Sequence, residues 1–268
     1  VNQSTELLLA ATTAAQRGGD ILMRYLRDGV EMRAKSHEGA KTYDLVSDAD
    51  IESENAIAKH LHSKYPTHHL LGEENLHAEA DSDNLWIIDP LDGTNNFAHG
   101  VLHFGVSIAY YCKGTPIVAA VFNPARDEMY TAIAGGGAFL NGRAIEVSRD
   151  GKLSQSLIGC GFYYDRGEMM KKTLAAIESF FAEDIHGIRR FGTASLDLCQ
   201  VASGQFGGFF EYQLSPWDFA AGALILTEAG GKITTARGDE LPIEKTSVLA
   251  SNGLLHDAML TITKAHHP

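Results

Sequence analysis

The sequence predicts a layered α+β fold, and three observations lead to it. Amphipathic helical stretches occur near both ends and in the middle of the 268 residues. A run of β-like segments separated by turn residues fills the region from Phe104 to Ala134. Helices and strands also mix without strict strand–helix–strand alternation, which disfavours a simple parallel sheet.

The elements follow in order. Leu8, Ala11, Ala15, Leu22, Tyr25 and Leu26 fall at helical spacing and predict a helix over 5–27, with Ser4 as N-cap. The polar run 35–41 reads as a mobile loop. Ile57 and Leu61 mark a second helix over 50–65, which Pro66 stops because it has no N–H to donate. Leu70-Leu71 and 85–88 read as short buried strands. Segments 104–111, 116–123 and 129–134 are β-like and are punctuated by Lys113-Gly114 and Asn123-Pro124. Gly135-Gly136-Gly137 and Asn141-Gly142 mark a turn region. Beyond it come a strand at 157–161, helices at 168–181 and 193–203, and a strand at 207–212. A strongly periodic helix over 217–229 stops at Gly230-Gly231, a glycine C-terminal signal. Strands near Ile233 and at 247–250 and a helix over 255–264 complete the pattern. A new helix-and-strand set begins near Leu153, so the expected organisation is two halves, 1–152 and 153–268, with a site between them.

Composition narrows the function classes. A hydrophobic fraction of 44% with 21% charged residues is ordinary for a soluble globular chain. No apolar run approaches the roughly 18 residues that span a bilayer. The first helical stretch carries Glu6, Arg17 and Asp20, which argues against a signal peptide. Cys112, Cys160 and Cys199 are far apart, read as reduced core thiols, and point to a cytoplasmic protein. A net charge of −12 disfavours nucleic acid as the main ligand. It agrees with phosphate chemistry only if local acidity forms a cage for divalent cations, which reverse the sign of the site.

The densest chemistry lies in Trp86-Ile87-Ile88-Asp89-Pro90-Leu91-Asp92-Gly93-Thr94. Asp89 and Asp92, three apart around a rigid proline turn, can point two carboxylates at one cation. The Leu91 carbonyl between them is free to add a third oxygen, a set suited to Mg²⁺. Gly93 and Thr94 then open a helix, where backbone N–H groups favour an anion. Glu73-Glu74 follows the apolar pair Leu70-Leu71, and Asp218 sits at a helix start after Pro216-Trp217. Each acid also has a structural explanation, as a turn residue or a helix N-terminal acid.

Together these segments resemble the inositol monophosphatase family. Glu73-Glu74, Asp89 through Thr94, and Trp217-Asp218 are similar, in that order, to its three metal-binding motifs. Trp86 through His99 and Trp217 through Gly231 resemble its two longer signatures, and the likeness includes Gly137 through Gly142. The resemblance implies a five-layer αβαβα sandwich of the inositol monophosphatase and fructose bisphosphatase type, homodimers and inhibition by Li⁺. It implies that Glu73, Asp89 and the Leu91 carbonyl bind one Mg²⁺, and that Asp89, Asp92 and Asp218 bind a second. A third, weaker ion near Glu73 makes two to three per subunit. Asp50, hydrogen-bonded to Thr94, would orient the attacking water, with Asp48 as the alternative acid; Glu73 belongs to the same catalytic group. Glu74 would stand behind the ligands. Asp92, Gly93, Thr94, Gly192, Thr193, Ala194 and Glu211 would line the substrate pocket, and Lys41 could touch phosphate or remain a solvated lysine.

The implied reaction is hydrolysis of a small phosphate monoester by direct attack of a metal-activated water, without a phosphoenzyme. Inositol 1-phosphate is the leading substrate. Fructose 1,6-bisphosphate, histidinol phosphate and nucleotide 3′-phosphates are same-fold alternatives, and Asn95-Asn96 after Thr94 argues against the nucleotide class. A regulatory binding protein on the same scaffold is the rival from another class. Histidine pairs 60/62 and 68/69 have no convergent partners for zinc. The triple glycine at 135–137 lacks the spacing and the following helix of a dinucleotide site.

Overall fold

Two sheets, one of seven strands and one of five, stack with helices outside and between them. The computed structural model describes residues 3–29, 31–34 and 45–268, so the expected loop at 35–41, including Lys41, lies outside the described residues. The chain opens with helix α1 (Gln3–Asp28), followed by the short antiparallel pair β1 (Met32–Ala34) and β2 (Leu45–Ser47), and α2 (Asp48–Lys64). The larger sheet contains β3 (His69–Gly72) and β4 (Asn84–Asp92), which leads to the one-turn helix α3 (Thr94–Ala98). It continues through β5 (Gly105–Cys112), β6 (Thr115–Asn123), β7 (Glu128–Ile133), β8 (Gly137–Leu140) and β9 (Arg143–Ile145). These seven strands lie in sequence order; only the β3–β4 pair is parallel.

The second half contributes β10 (Leu157–Cys160), α4 (Glu168–Ala182), β11 (Gly187–Arg189), α5 (Ala194–Ala202) and β12 (Gly208–Leu214). It ends with α6 (Pro216–Glu228), β13 (Lys232–Thr234), β14 (Thr246–Ser251) and α7 (His256–Ala265). Its five strands run in the order β11-β10-β12-β14-β13.

Alternation along each strand assigns the layers. In β4, Trp86 and Ile88 pack with α1 and α2, whereas Leu85 and Ile87 face α5 and α6. In β12, Phe209 faces α5 and α6 from the opposite side, and Phe210 and Tyr212 face α4 and α7. The order is therefore α1/α2, larger sheet, α5/α6, smaller sheet, α4/α7, the expected five-layer α+β sandwich. Both sheets are covered on both faces, which explains why their strands read as nearly unbroken apolar runs. α6 lies between sheets, and its residues from Phe219 to Leu226 are all buried.

Two of the local differences from the sequence reading lie in the sheets away from the acids and have physical reasons. The turn region at 135–142 contains two further strands, because Gly135, Gly137, Asn141 and Gly142 take positive φ and fold β7, β8 and β9 into hairpins. Strand β11 is only three residues long and too short to leave a pattern.

Candidate active site

The site lies where the ends of β4 and β12 meet the N-termini of α5 and α6. Asp89 pairs with Ser107, but Asp92 pairs with Gly105, so β4 advances three residues while β5 advances two. The extra residue is a β-bulge at Pro90-Leu91, where proline could not have supplied a ladder hydrogen bond. In a regular strand, residues three apart point to opposite faces; the bulge restores Asp89 and Asp92 to the same face. Ligand oxygens of Asp89, Asp92 and Asp218 all lie within 4.8 Å of one another. Glu73 falls outside that tight group, yet its charge acts on all three aspartates.

Each aspartate is held by the protein. The Leu91 N–H donates to Asp89 Oδ1 at 3.0 Å. Ser195, at the start of α5, donates to Asp92 Oδ2 from its N–H at 2.7 Å and its hydroxyl at 2.6 Å. The Ser215 N–H donates to Asp218 Oδ2 at 2.7 Å within a capping box at the start of α6. Pro216, the first residue of that helix, pre-sets its backbone for the turn.

The electrostatics describe a cluster in which burial and mutual repulsion outweigh the opposing influences. Burial, then repulsion from Glu73, Asp92 and Asp218, pushes Asp89 well above the usual carboxylate range. Burial, then Asp92 and Glu73, does the same to Asp218. Burial lifts Asp92 to about 7, against the opposing pull of Ser195's two hydrogen bonds. Oxygen-only donors crowded this closely, with so much unfavourable charge, fit a hard divalent cation.

Thr94 and Asp50 meet beside this cluster. The Thr94 hydroxyl lies 3.4 Å from Asp50 Oδ1 and 3.1 Å from the Leu91 carbonyl. Asp50 is fully buried, and its Oδ2 accepts from the Ser47 N–H at 2.8 Å and hydroxyl at 2.6 Å as the capping box of α2. Asp48 instead turns outward to Arg33 at the surface. Below the Glu73-Glu74 turn, buried Glu54 accepts the N–H groups of Glu74 and Asn75 at 3.0 and 2.8 Å.

The residues expected to line the substrate come together from both halves. Gly93 has φ of +91°, and a Cβ there would lie 2.4 Å from Thr193 Oγ1, so only glycine lets these two segments touch. Thr193 and Asn96 bind across the same contact. Thr193 Oγ1 donates to the His103 carbonyl at 2.8 Å, and Asn96 Nδ2 donates to the carbonyls of His103 and Phe191 at 2.7 and 2.8 Å. Gly192 lies under the exposed Arg190 guanidinium, and Ala194 begins α5. Glu211 is buried within β12, next to a second bulge between Glu211 and Leu214. Burial, then Asp218, pushes its carboxyl well up, and Arg190 opposes that shift. A Cβ on Gly161 would fall 1.7 Å from Glu211 Oε2, so the glycine makes room for this carboxylate.

Sequence reasoning did not single out Ser195, Ser47, Glu54, His103 or Asp197, and it used Asn96 only to argue against a nucleotide substrate. Ser47, three residues before Asp50, carries a capping-box spacing that could have revealed it. Ser195 and Asp92 are 103 residues apart, and nothing local signals their contact.

Comparison with known proteins agrees with this architecture. A family model described as "Inositol monophosphatase family" matches residues 3–267. An inositol-1-monophosphatase of Rhizobium meliloti is 44% identical over 227 residues, covering 84% of this chain and 85% of that protein. A protein named Nus factor SuhB from Pseudomonas aeruginosa is 40% identical over 267 residues, covering 98% of this chain and 97% of its own. The crystal structure of extragenic suppressor protein suhB from Bartonella henselae superposes with a TM-score of 0.88 at 35% identity, covering 97% of this chain and 98% of that one.

Proposed function

This chain belongs to the inositol monophosphatase family, and from that premise we propose that it hydrolyses a small phosphate monoester, with inositol 1-phosphate as the leading substrate and Mg²⁺ as the cofactor. The observation that carries the reading is the approach of Asp89, Asp92 and Asp218 to within 4.8 Å of one another, next to the Asp50–Thr94 contact. Glu73, Asp89, the Leu91 carbonyl, Asp92 and Asp218 would hold two ions, with Asp89 shared and a third ion near Glu73. Bound there, divalent cations neutralise the phosphoryl oxygens and make water acidic enough to attack near neutral pH.

The chain's own groups do the rest. Thr94 has one hydroxyl proton and two acceptors within reach, the Leu91 carbonyl and Asp50. When the carbonyl serves as a ligand, the proton goes to Asp50, and the Thr94 oxygen is left to accept from the attacking water. Asp50 thereby orients that water and receives its proton. Backbone N–H groups at Gly93–Thr94 and Gly192–Ala194 would meet the ester, and Glu211 would accept from substrate hydroxyls. A carboxylate in that position suits a polyol and repels a second phosphate. The halves 1–152 and 153–268 each supply ligands, and the same reading includes a cytoplasmic homodimer inhibited by Li⁺.

A second reading is a regulatory binding role on the same scaffold. Its support is the Nus factor name of the Pseudomonas aeruginosa relative. One experiment separates the two: phosphate release from inositol 1-phosphate, fructose 1,6-bisphosphate, histidinol phosphate and 3′-phosphoadenosine 5′-phosphate, with and without Mg²⁺. Mg²⁺-dependent release from the inositol ester supports the first reading, and preference for another ester moves only the substrate. No release from any ester despite bound Mg²⁺, together with a stoichiometric protein or RNA partner, establishes the second.

A further inference from the structure

We propose that His103 and Asp197 are a positioning pair that fixes the first turn of α5 and, through it, the two hydrogen bonds from Ser195 to Asp92. The proposal rests on the reading of Asp92 as a metal ligand. Asp197 lies on α5, 1% exposed, and among the described residues neither of its carboxylate oxygens has a hydrogen-bond partner. The neighbouring acids Asp50, Asp89, Asp92 and Asp218 all accept hydrogen bonds. A buried carboxylate without a donor is strongly destabilising, so Asp197 requires one. His103 Nε2, also buried and unpartnered, stands 3.7 Å from Asp197 Oδ1. His103 also borders a small polar cavity of about 20 Å³, shared with Gln200, so it is not packed solidly on every side. Paired to a carboxylate, which only accepts, the ring carries its proton on Nε2.

His103 already grips the same helix through its backbone. Its carbonyl accepts the hydroxyl of Thr193, the N-cap residue of α5, at 2.8 Å. The Thr193 carbonyl in turn accepts the Asp197 N–H at 2.9 Å, the first bond of the helix. One residue thus holds α5 at two points a turn apart, its carbonyl at Thr193 and its ring at Asp197. Ser195 lies between those points. Phe191, whose ring centroid is 4.9 Å from that of His103, packs against the imidazole. Burial pushes the Asp197 carboxyl up; His103 and then Arg190 oppose that shift, but Arg190 sits at the exposed rim.

The test compares three variants. His103→Gln keeps a donor, His103→Phe keeps a ring without one, and His103→Phe/Asp197→Leu removes the pair and its buried charge together. Two readouts apply: the Ser195 amide proton shift by NMR in metal-free protein, and the Mg²⁺ dissociation constant by calorimetry. Thermal melting shows that each variant folds. The expected result is a near-native Ser195 resonance in His103→Gln, and in His103→Phe an upfield shift with roughly tenfold weaker Mg²⁺ binding, as for loss of one charge-assisted hydrogen bond. In the double variant, melting should recover while Ser195 and Mg²⁺ affinity do not. Recovery of all three, or an unmoved Ser195 resonance in His103→Phe, overturns the proposal and leaves a packing role. A response at Ser195 in a protein that binds no Mg²⁺ supports the positioning pair while removing the metal reading.

Discussion

Replacing Asp92 with Asn should stabilise the metal-free protein, and by an amount that grows with pH. In the unfolded chain Asp92 ionises near its ordinary 3.8; in the folded, cation-free site it ionises near 7. A carboxyl whose folded pKa is raised contributes stability that is fully present below 3.8 and is lost as pH rises through 7. The rise from 3.8 to about 7 corresponds to about 4 kcal/mol. Asn is nearly isosteric, stays neutral at every pH, and its carbonyl can still accept from Ser195. Its presence also relieves Asp89 and Asp218, which Asp92 repels, and this acts in the same direction. At about 2–4 °C per kcal/mol, the variant should melt roughly 8–16 °C above the wild type near pH 8 and close to it near pH 4. Thermal denaturation in EDTA across that range measures the difference. Excess Mg²⁺ should narrow the gap, because saturation at about 100-fold over the dissociation constant adds about 2.7 kcal/mol to the protein that binds it. A difference in EDTA that does not change with pH, or that shrinks as pH rises, would refute the reasoning.

Other expectations follow from the same geometry. Asp50→Asn should lower kcat for phosphate release by about 10²–10⁴-fold while leaving Mg²⁺ affinity nearly unchanged; calorimetry and steady-state kinetics together check the split. Ser195→Ala removes the hydroxyl bond but not the amide bond to Asp92, and should weaken Mg²⁺ binding about tenfold. The Ser195 bonds hold the Asp92 pKa down, so that weakening should be larger at acid pH, as read by calorimetry on either side of neutrality. Gly161→Ala drives the Glu211 carboxylate aside. It should raise KM for inositol 1-phosphate more than for p-nitrophenyl phosphate, whose leaving group has no hydroxyls to bind; equal effects on both would remove Glu211 from polyol recognition.

The acids of the site were legible because each lies in a strongly punctuated local segment: Glu73 after an apolar pair, Asp89 and Asp92 around a proline, Asp218 after Pro216-Trp217. Their convergence was less so. Residues 89–92 read as a turn after a short strand, but β4 continues through Asp92 and the change of direction is a bulge within it. A bulge depends on the partner strand's register, which a single segment does not carry. Long helices were legible from their periodicity, whereas β1, β2 and β11, three residues each, are shorter than any reliable alternation. Contacts such as Ser195 to Asp92 and Asn96 to Thr193 join residues about a hundred positions apart. They depend on how the two sheets stack, a tertiary property without a local signature. Asp48 and Asp50 look equivalent in the sequence; the capping box settles which carboxylate turns inward, because the third helical residue reaches back to Ser47.

The middle layer of α5 and α6 has a consequence for cooperativity. A single apolar cluster draws Leu85, Ala109 and Val121 from the larger sheet and Phe209, Val248 and Ala250 from the smaller one onto the same two helices. A fragment ending at residue 152 would therefore retain α1 and α2 but leave the opposite face of its sheet open to water. A fragment beginning at 153 would expose one side of α6, a helix apolar on nearly every face. The two halves share one interior, so the protein should unfold in a single transition. Loosening either sheet then moves the carboxylates contributed by both, and binding at the cluster is felt by the whole chain at once.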